Sequence, residues 1–385
     1  MMCEMTPRER LLTVLSGGIP DRVPVAPFVQ EEYLNVAYPE KDTVDRVVDA
    51  TALAEELDFD LMAKHRTFET PHFLKKSFPN WEVRQQTRRT DGILIKRLEI
   101  VTPDRTMCHE ESAPDIKGAA AAGIHSCVTK HLLEEDEDIE TFIKFLPDLD
   151  EESIAEMHKT AKQWSEVIGD RGVLAPWGWC GAFNMTCDLR GIETLMLDPY
   201  DDEGLYEALM DRMTGLMEDY CGTLASTAVD CVGMQGHMAN SRTIGTDYYR
   251  KYILPYEKRV VDAIHQGGAY SVFHNCGYAS TFYDIYRDMG MSVWETISEP
   301  PQGDNDLSKV KAELGSDITL LGNLDQIDFL KRATKIEIEE ETRRIMEIGK
   351  PGGRYIFSNS DFLERGTPRE NIVAMIEAAK TAGVY

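Results

Sequence analysis

Short apolar runs alternate with amphipathic segments along most of this chain. Eight of the runs have the length and composition of buried β-strands, and they cover residues 22–29, 59–65, 172–177, 230–236, 269–274, 292–297, 318–323 and 354–359. The segments between them, such as DLSKVKAELG, have helical spacing and often end in glycine. Eight strands separated by helices predict a single (β/α)8 TIM barrel over residues 1–385. An open doubly wound sheet is the alternative, but no glycine-rich GxGxxG turn follows the first strand.

The gap between the second and third predicted strands is too long for a plain connection. Within residues 66–171, the alternating stretch TDGILIKRLEIVTPDRTMCHE predicts a β-hairpin, and an acidic, helix-rich stretch follows at 131–157. Acidic runs of this kind are typical of a solvated helix face. We interpret 66–171 as an insertion over the mouth of the barrel, in the position of a lid.

The tetrapeptide TPRE occurs twice, once near each end of the chain. Thr6 and Thr367 are each followed by a proline and, three residues on, by a glutamate. This pattern predicts a capping box with proline at the first helical position. We therefore expect one helix to start directly after Thr6 and another directly after Thr367.

The composition and net charge of the chain limit the kinds of molecule that it is expected to bind. The chain has 42% hydrophobic and 28% charged residues, which is ordinary for a globular protein. Its formal net charge of −26 argues against nucleic acid and anionic membrane surfaces as partners, because both require a basic patch. No apolar run has the length of a transmembrane helix. The eight cysteines lack the spacing of a disulfide framework and the start lacks a signal-peptide segment, so we expect a cytoplasmic protein with reduced thiols.

Polar residues at the carboxyl ends of the predicted strands are the candidates for chemistry, because these ends meet at one mouth of a parallel barrel. The stretch SVFHNCGYAS places His274 and Cys276 two residues apart at the end of the fifth strand, so both side chains can lie on one face. Imidazole and thiolate are ligands that zinc prefers, and a carboxylate can complete such a set. The other candidates at strand ends are Gln30, His65, Trp177, Trp179, His237, Glu295, Asn323 and Asp361.

Each candidate has a structural alternative. A hydrogen-bonded His274 at the barrel rim beside a buried Cys276 explains the spacing as well as a metal site does. The same alternative applies to His65 and His237. Trp177 and Trp179 suit either an apolar pocket or ordinary packing between barrel and helix, so spacing alone leaves the choice open.

A resemblance to a known family extends over nearly the whole chain and includes five specific stretches. They are TPRERLLTVLSGGIPDRVPVAPF, APWGWCGAFNMTCDLRGIETLMLDPYDDEGLYEALMDRM, FHNCGYAS, GNLDQ and GTPRENIVAMIEAAKTAG. In these the chain resembles the uroporphyrinogen decarboxylase superfamily, and within it the branch of cobamide-dependent methyltransferases. The resemblance implies a (β/α)8 barrel, in agreement with the strand count. The decarboxylase itself has an arginine-rich segment after the first strand, whereas this chain has APFVQEEYLN there, which argues against uroporphyrinogen as the substrate.

The methyltransferase branch implies a zinc ion bound by a His-x-Cys pair and by a later cysteine six residues before a Thr-Pro. His274 and Cys276 match the pair, but Asp361 stands in the place of the later cysteine. A His-Cys-Asp set is harder than His-Cys-Cys, so the zinc would be a stronger Lewis acid and better suited to oxygen than to sulfur. The resemblance implies methyl transfer that involves a corrinoid, and the harder ligand set leads us to expect a small methylated substrate as the donor, such as an aryl methyl ether in an O-demethylase reaction.

Further roles follow from the same resemblance. His237 or Glu295 would supply another ligand or orient the substrate, and the substrate would be lined by Trp177, Trp179, His65, Gln30 and Asn323. The corrinoid (cobalamin) would be carried by a partner protein, because the Asp-x-His-x-x-Gly motif of corrinoid modules is absent. Three other classes stay open: a metal-free lyase acting on a smaller acid, a methylcorrinoid:thiol methyltransferase, and a non-catalytic binding protein.

Overall fold

The computed structural model describes residues 4–64, 70–116, 126–178 and 181–385. In chain order its strands are β1 (Leu61–Ala63), β2 (Glu82–Thr90), β3 (Ile93–Val101), β4 (Thr106–Pro114), β5 (Cys127–Lys130), β6 (Gly172–Leu174), β7 (Cys231–Gln235), β8 (Tyr270–His274), β9 (Val293–Thr296), β10 (Thr319–Leu324) and β11 (Tyr355–Asn359). Two sheets are parallel, with strand orders β1-β6 and β11-β10-β9-β8-β7, and the sheet β2-β3-β4-β5 is antiparallel.

Helices separate the parallel strands, as a (β/α)8 barrel requires. The α-helices are α1 (Pro7–Leu15), α2 (Glu31–Ala37), α3 (Val48–Leu57), α4 (His72–Lys75), α5 (Asp136–Phe145), α6 (Glu151–Ile168), α7 (Ala182–Arg190), α8 (Ile192–Asp201), α9 (Glu203–Ala225), α10 (Thr246–Tyr248), α11 (Leu254–Gly267), α12 (Tyr283–Met289), α13 (Leu307–Leu314), α14 (Phe329–Arg332), α15 (Lys335–Gly349) and α16 (Arg369–Ala382). A 3₁₀ turn lies at Gly169–Arg171 and a π-helical turn at Tyr249–Ile253. Within the described ranges, no helix combines the length and apolarity needed to cross a membrane.

The predicted strand at 22–29 is the one barrel strand that the structure does not form. This segment makes a single parallel bridge, from Val25 to Phe357 of β11. Pro24 and Pro27 have no N–H to donate, so they interrupt the ladder on both sides of that bridge. The segment still lies between β1 and β11 and completes the ring of eight barrel segments. On the β1 side, the carbonyl of Val25 accepts a 2.8 Å hydrogen bond from the N–H of Asp60.

The barrel also lacks a continuous strand pairing between β6 and β7, which belong to different sheets. The N–H of Gly178 donates to the carbonyl of Gly233 at 2.9 Å, and Trp177 forms a parallel bridge with Gly233. A Cβ atom at position 233 would lie 2.4 Å from Cε3 of Trp177, so only glycine allows the indole to pack there. Together these contacts place the predicted strand ends at one mouth, as the sequence predicted.

The barrel interior is layered. Helix α1 covers its amino-terminal end, where Leu11, Val14 and Leu15 join buried residues from all eight barrel segments: Ala26, Met62, Val173, Ala175, Cys231, Val272, Val293, Leu321 and Ile356. Side chains alternate along a strand, so the residues two positions further on also face inward. That next layer is largely polar or aromatic, and it includes Phe28, Lys64, His274, Glu295 and Asn323. The polar candidate residues therefore lie directly next to the apolar layer of the barrel interior.

The predicted hairpin is present as β3 and β4, which pair in continuous antiparallel register from Ile93 to Val101. It is part of the four-stranded sheet, and α5 and α6 form the acidic stretch that follows. One face of the sheet is apolar near the turn between β3 and β4, where Ile100 and Met107 are buried. Leu98 and His109 lie further along the same face and border a cavity.

Of the two predicted helix starts, one is confirmed and one is wrong. Thr6 accepts from the N–H of Glu9, and the Glu9 carboxylate accepts from the N–H of Thr6, which completes the capping box of α1. At the other end, α16 begins at Arg369 with Pro368 at the N-cap and no side-chain cap. Thr367 is buried outside the helix, and its hydroxyl has no hydrogen-bond partner among the described residues.

A buried carboxylate on α11 caps α7 from outside that helix. Glu257 is 1% exposed, and its Oε1 accepts a 3.0 Å hydrogen bond from the N–H of Phe183. A Cβ atom at position 181 would lie 2.6 Å from both carboxylate oxygens, so glycine is required there. Burial raises the pKa of Glu257 to about 7, against the opposing effect of the N–H groups of Phe183 and Ala182.

We expect Glu257→Gln to make the free energy of unfolding less sensitive to rising pH between pH 5 and 8. The pKa in the folded protein lies above the ordinary value of 4.5, so the stabilising contribution is complete below pH 4.5 and is lost as pH rises through 7. Glutamine has no charge to bury. Between pH 5 and 8, the free energy of unfolding measured in urea should therefore fall less in the variant, by roughly 1–3 kcal/mol. The exposed Glu207→Gln is the control, and identical pH profiles for wild type and Glu257→Gln would contradict the prediction.

Candidate metal centre

The three predicted metal ligands lie together at the mouth of the barrel. A ring nitrogen of His274, Sγ of Cys276 and a carboxylate oxygen of Asp361 all lie within 4.8 Å of one another. Nε2 of His274 is 3.9 Å from Oδ2 of Asp361. A tetrahedral zinc ion with bonds of about 2.0–2.3 Å separates its ligand atoms by roughly 3.3–3.8 Å. The cluster therefore fits a zinc ion after a contraction of roughly 1.5 Å at most.

The residue between the two strand-end ligands explains why they face the mouth together. Asn275 is buried, and its Nδ2 donates to the carbonyl of Ala239 at 3.1 Å and to the hydroxyl of Tyr286 at 2.6 Å. Because neighbouring side chains alternate, anchoring Asn275 in the core turns His274 and Cys276 toward the opposite side. Gly277 follows with φ of +110°, which a glycine adopts without strain and which ends the strand direction.

Backbone and side-chain hydrogen bonds hold Asp361 in place. Its N–H donates to Oε1 of Gln326 at 3.1 Å, and its carbonyl accepts from Nδ2 of Asn359. Its Oδ1 accepts a 2.7 Å hydrogen bond from the N–H of Phe362. Oδ2 is then the oxygen that faces His274, so the carboxylate presents one atom to a metal ion.

A buried ionic chain stands behind His274. Nδ1 of His274 lies 2.9 Å from Oε1 of Glu295, and Oε2 of Glu295 accepts from Nζ of Lys64. Glu295 is fully buried and Lys64 is 4% exposed. With Nδ1 bonded to Glu295, Nε2 is left for a metal ion, an arrangement typical of metal-binding histidines. Glu295 thus lies on the Nδ1 side of the His274 ring, whereas Asp361 lies on the Nε2 side.

The pKa values of Glu295 and His274 are shifted by the charged groups next to them. Burial would raise the pKa of Glu295, but Lys64 and His274 lower it below its ordinary value. Burial would likewise lower the pKa of His274, but Cys276, Glu295 and Asp361 together raise it well above its ordinary value. A metal ion binding at Nε2 must therefore displace a firmly held proton.

We expect Lys64→Met to destabilise the metal-free protein by roughly 3 kcal/mol, because removing one partner of a buried ion pair leaves the other charge uncompensated. The free energy of unfolding in urea measures this change. Lys162→Met removes an exposed lysine of α6 and should leave stability within about 0.5 kcal/mol of wild type. Equal losses in the two variants would show that the pair with Glu295 contributes nothing specific.

Aromatic rings border the cluster on its inner side. Trp177 is 2% exposed, and its ring lies edge-on to the His274 ring with centroids 5.4 Å apart. Phe28 lies 6.4 Å from His274, and Nζ of Lys64 lies 3.6 Å above the Phe28 ring. Nε1 of Trp177 has no hydrogen-bond partner among the residues that the structure describes.

His237 lies one strand away from His274, next to a cavity. Nδ2 of Asn184 donates to Nδ1 of His237 at 3.3 Å. Burial, together with the neighbouring His274, lowers the pKa of His237 to about 4, so the ring is neutral at neutral pH. His237 and Gln235 line a cavity of about 420 Å³ between the strand ends and the inserted sheet. Gln235 is the register partner of His274, so this cavity adjoins the strand edge that carries the cluster.

The remaining predicted site residues are placed as follows. Gln30 is buried and its carbonyl begins α2. Asn323 lies in the inward-facing layer, where its Nδ2 donates to the carbonyl of Ile297 at 3.3 Å, and it borders a separate cavity of about 280 Å³. His65 and Trp179 lie outside the described residues.

Sequence reasoning missed three residues that shape the cluster, namely Phe28, Lys64 and Gln326. The clearest signal was Lys64, a charged residue directly after the apolar run LMA. A lone lysine that the barrel turns inward requires a buried partner. Gln326 stands in the GNLDQ stretch, but its contact with Asp361 joins positions 35 residues apart and spacing does not reveal it.

Comparison with known proteins places this geometry in a family. Methylcobamide:CoM methyltransferase MtbA of Methanosarcina acetivorans is 24% identical over 256 residues, which is 66% of this chain and 70% of that protein. A uroporphyrinogen decarboxylase of Geotalea uraniireducens is 26% identical over 179 residues, 45% of this chain and 48% of that protein. The solved structure of a methyltransferase from Methanosarcina mazei superimposes with a TM-score of 0.69 and 17% identity, covering 98% of this chain and 99% of that one, which confirms the fold.

The family model for uroporphyrinogen decarboxylase (URO-D) matches residues 125–382. This match covers more than half of the chain, including the strands that carry His274, Cys276, Glu295 and Asp361. The chain therefore belongs to the uroporphyrinogen decarboxylase family, as the motifs in its sequence predicted.

Proposed function

We propose that this protein is a zinc-dependent methyltransferase that moves a methyl group between a small methylated substrate and the corrinoid of a partner protein. The observation that carries the proposal is the cluster of His274, Cys276 and Asp361 at the barrel mouth. Two relatives named for methyl transfer support it: MtbA, and a methylated-thiol--coenzyme M methyltransferase of Methanosarcina mazei, which is 23% identical over 198 residues.

The ligand set favours an oxygen-bound methyl group. One thiolate, one imidazole and one carboxylate donate less charge than a set with two thiolates. A zinc ion held by these three side chains would act as a Lewis acid toward an ether oxygen and stabilise the negative charge that develops on it. We propose an aryl methyl ether as the methyl donor, so that the protein is an O-demethylase component.

The side chains of this protein would bind and orient the ether. Trp177 and Phe28 lie beside each other with ring centroids 6.3 Å apart, and we propose that both contact the aromatic ring of the ether. The indole N–H of Trp177, which has no partner among the described residues, would donate to an oxygen of the ether. Glu295 and Lys64 fix the orientation of His274. His237 is neutral and does not repel a cationic metal.

Methyl transfer breaks the bond between the methyl carbon and the ether oxygen and forms a carbon–cobalt bond. The electron pair of Co(I) makes the new bond, so the cobalt ends as methyl-Co(III). The pair from the broken bond leaves on oxygen as phenoxide, which takes a proton from solvent after release. The methyl carbon must therefore face outward, toward a corrinoid protein docked at the mouth, and we propose that residues 66–171 help to form that dock.

Transfer to a thiol is the second candidate, because the relatives with methyltransferase names act on coenzyme M or methylated thiols. In that reaction methylcorrinoid is the donor and a thiolate the acceptor. The presence of Asp361 in place of a second thiolate ligand argues for an ether as the methyl donor. The two candidate reactions use different substrates. One assay can therefore separate them.

A single-turnover assay tests the proposed function. The zinc-loaded protein is mixed with Co(I) cobalamin and a panel of methoxyarenes, and the absorption spectrum reports conversion of Co(I) to methyl-Co(III). We expect conversion with at least one methoxyarene and release of the matching phenol. Demethylation of methylcobalamin by thiols without any reaction of ethers would favour the second candidate, and neither reaction would overturn both.

A further inference from the structure

The third ligand of the cluster comes from a different part of the sheet than the other two. His274 ends β8 and Cys276 follows it, whereas Asp361 lies in the loop after β11. Two strands, β9 and β10, lie between β8 and β11 in the sheet. The side chain of Asp361 is 24% exposed and that of His274 is 9% exposed, so burial restrains Asp361 less. The position of its carboxylate therefore depends on the hydrogen bonds that hold the loop after β11.

Gln326, in the loop after β10, makes one of these hydrogen bonds with its side chain. Gln326 is 3% exposed, and its Oε1 accepts a 3.1 Å hydrogen bond from the N–H of Asp361. One residue earlier, the N–H of Ser360 donates to the carbonyl of Leu324 at 2.7 Å. Two successive N–H groups of the loop after β11 are therefore held by the loop after β10, and the one that belongs to Asp361 depends on a side chain.

The loop after β10 is itself held in shape by an aspartate. Oδ1 of Asp325 accepts from the N–H groups of Ile327 and Asp328 at 2.8 and 3.1 Å, which is a turn typical of aspartate. Its Oδ2 accepts a 3.2 Å hydrogen bond from Nε2 of Gln302, in the loop after β9. Gln326 is thus presented by a loop that is closed on itself and bonded to its neighbour.

The loop after β9 also contacts the loop that carries Cys276. Nδ2 of Asn305 donates at 3.0 Å to the carbonyl of Gly277, the residue after Cys276. A Cβ atom at position 303 would lie 2.5 Å from the same carbonyl, so glycine is required there. The loops that carry Cys276 and Asp361 are therefore connected through the loops after β9 and β10, which supply none of the three ligands.

We propose that Gln326 is a positioning residue for the third zinc ligand, and that its hydrogen bond with the N–H of Asp361 keeps Oδ2 of Asp361 on the Nε2 side of His274. The proposal rests on the proposed function, because it assigns a role toward the same zinc ion. Asn359 holds the carbonyl of Asp361, but Oδ1 of Asn359 also accepts a 2.9 Å hydrogen bond from the N–H of Phe28. A change at Asn359 would disturb the barrel as well, so Gln326 is the residue at which positioning can be tested.

Replacing Gln326 with leucine should weaken zinc binding by about 10- to 100-fold, the usual range for a residue that supports a metal ligand. Leucine has a similar size but no acceptor, so the N–H of Asp361 loses its partner and its peptide is no longer held. Competition with a chromophoric zinc chelator measures the affinity. Wild-type affinity in Gln326→Leu would overturn the proposal.

Two further variants show whether the acceptor is the cause. Gln326→Glu keeps an oxygen at the same distance from the backbone and should bind zinc at least as tightly as the wild type. Gln266→Leu makes the same change as Gln326→Leu at an exposed glutamine of α11, and it should leave the affinity unchanged. A loss in Gln326→Glu as large as that in Gln326→Leu would overturn the proposal.

The Asp361→Ala background separates positioning from a general effect on the fold. This variant keeps His274 and Cys276, so its weak zinc binding can be measured with a weaker chelator. If Gln326 acts through the carboxylate of Asp361, adding Gln326→Leu should change the affinity by less than about twofold. The full loss of about 10- to 100-fold in this background would show that Gln326 acts by another route, and would overturn the proposal.

Zinc binding and methyl transfer are measured separately, so this proposal and the proposed function can fail independently. Zinc binding that depends on Gln326 and Asp361 together, in a protein that transfers no methyl group, supports the positioning role and overturns the proposed reaction. Zinc binding and methyl transfer that both persist unchanged in Gln326→Leu overturn the positioning role alone. A wild-type protein that binds no zinc overturns both.

Discussion

Replacing Cys276 with serine should lower the affinity for zinc by at least about 100-fold and abolish methyl transfer. Cys276 supplies the one sulfur of the cluster, and zinc binds thiolate at about 2.3 Å as one of its preferred ligands. A serine hydroxyl is neutral at pH 7 and cannot replace the negative charge. Competition with a chromophoric zinc chelator measures the affinity, and the cobalamin assay measures the transfer.

The control for Cys276→Ser is Cys127→Ser. Cys127 is an exposed free cysteine of β5, so its loss removes a thiol without touching the barrel mouth. We expect wild-type zinc affinity in that variant. Full zinc binding in Cys276→Ser would instead show that Cys276 is not a zinc ligand and would contradict the assignment of the metal site.

Replacing Asp361 with cysteine should preserve zinc binding and change the substrate preference. Its carboxylate faces His274 across 3.9 Å, and a thiolate at this position would give the softer ligand set of two sulfurs and one nitrogen. The more strongly neutralised zinc ion would be a weaker Lewis acid. We expect ether demethylation to fall at least about tenfold, which corresponds to 1.4 kcal/mol of transition-state stabilisation, and thiol methylation by methylcobalamin to rise.

Two comparisons make the Asp361→Cys result interpretable. Asp328→Cys introduces the same thiol at an exposed aspartate and should alter neither reaction. Asp361→Ala should lose zinc, because two protein ligands remain of three. Unchanged zinc affinity in Asp361→Ala would show that Asp361 is a structural residue, and the argument for a hard metal site would fail.

The barrel was predictable because each of its strands carries a strong local signal. The runs that became β7 to β11 are bounded by helices and rich in Val, Ile, Leu and Phe, so their assignment did not depend on distant contacts. The segment 22–29 has the same apolar composition, but Pro24 and Pro27 prevent a continuous ladder. The second TPRE does not form the predicted capping box, because Thr367 is buried outside α16, and spacing along the chain does not show which threonine is buried by tertiary packing.

The candidate site was predictable only where it follows a local period. His274 and Cys276 share a face because they are two residues apart. Asp361 was identified from the family resemblance, which implies a ligand six residues before Thr367. The pairing of Lys64 with Glu295 joins positions 231 residues apart, and no spacing rule reaches that far. The cavity bordered by Glu111 and His237 likewise depends on how the inserted sheet packs on the barrel, and this packing is visible only in three dimensions.

Zinc content and coordination of the wild-type protein test the central claim most directly. The protein should be purified without chelators, supplied with zinc, desalted, and measured by mass spectrometry and by X-ray absorption at the zinc edge. The account predicts about one zinc per chain with one sulfur ligand at about 2.3 Å and nitrogen or oxygen ligands at about 2.0–2.2 Å. A protein that retains no zinc, or a zinc ion without a sulfur ligand, would contradict it and leave a metal-free lyase of this family as the better description.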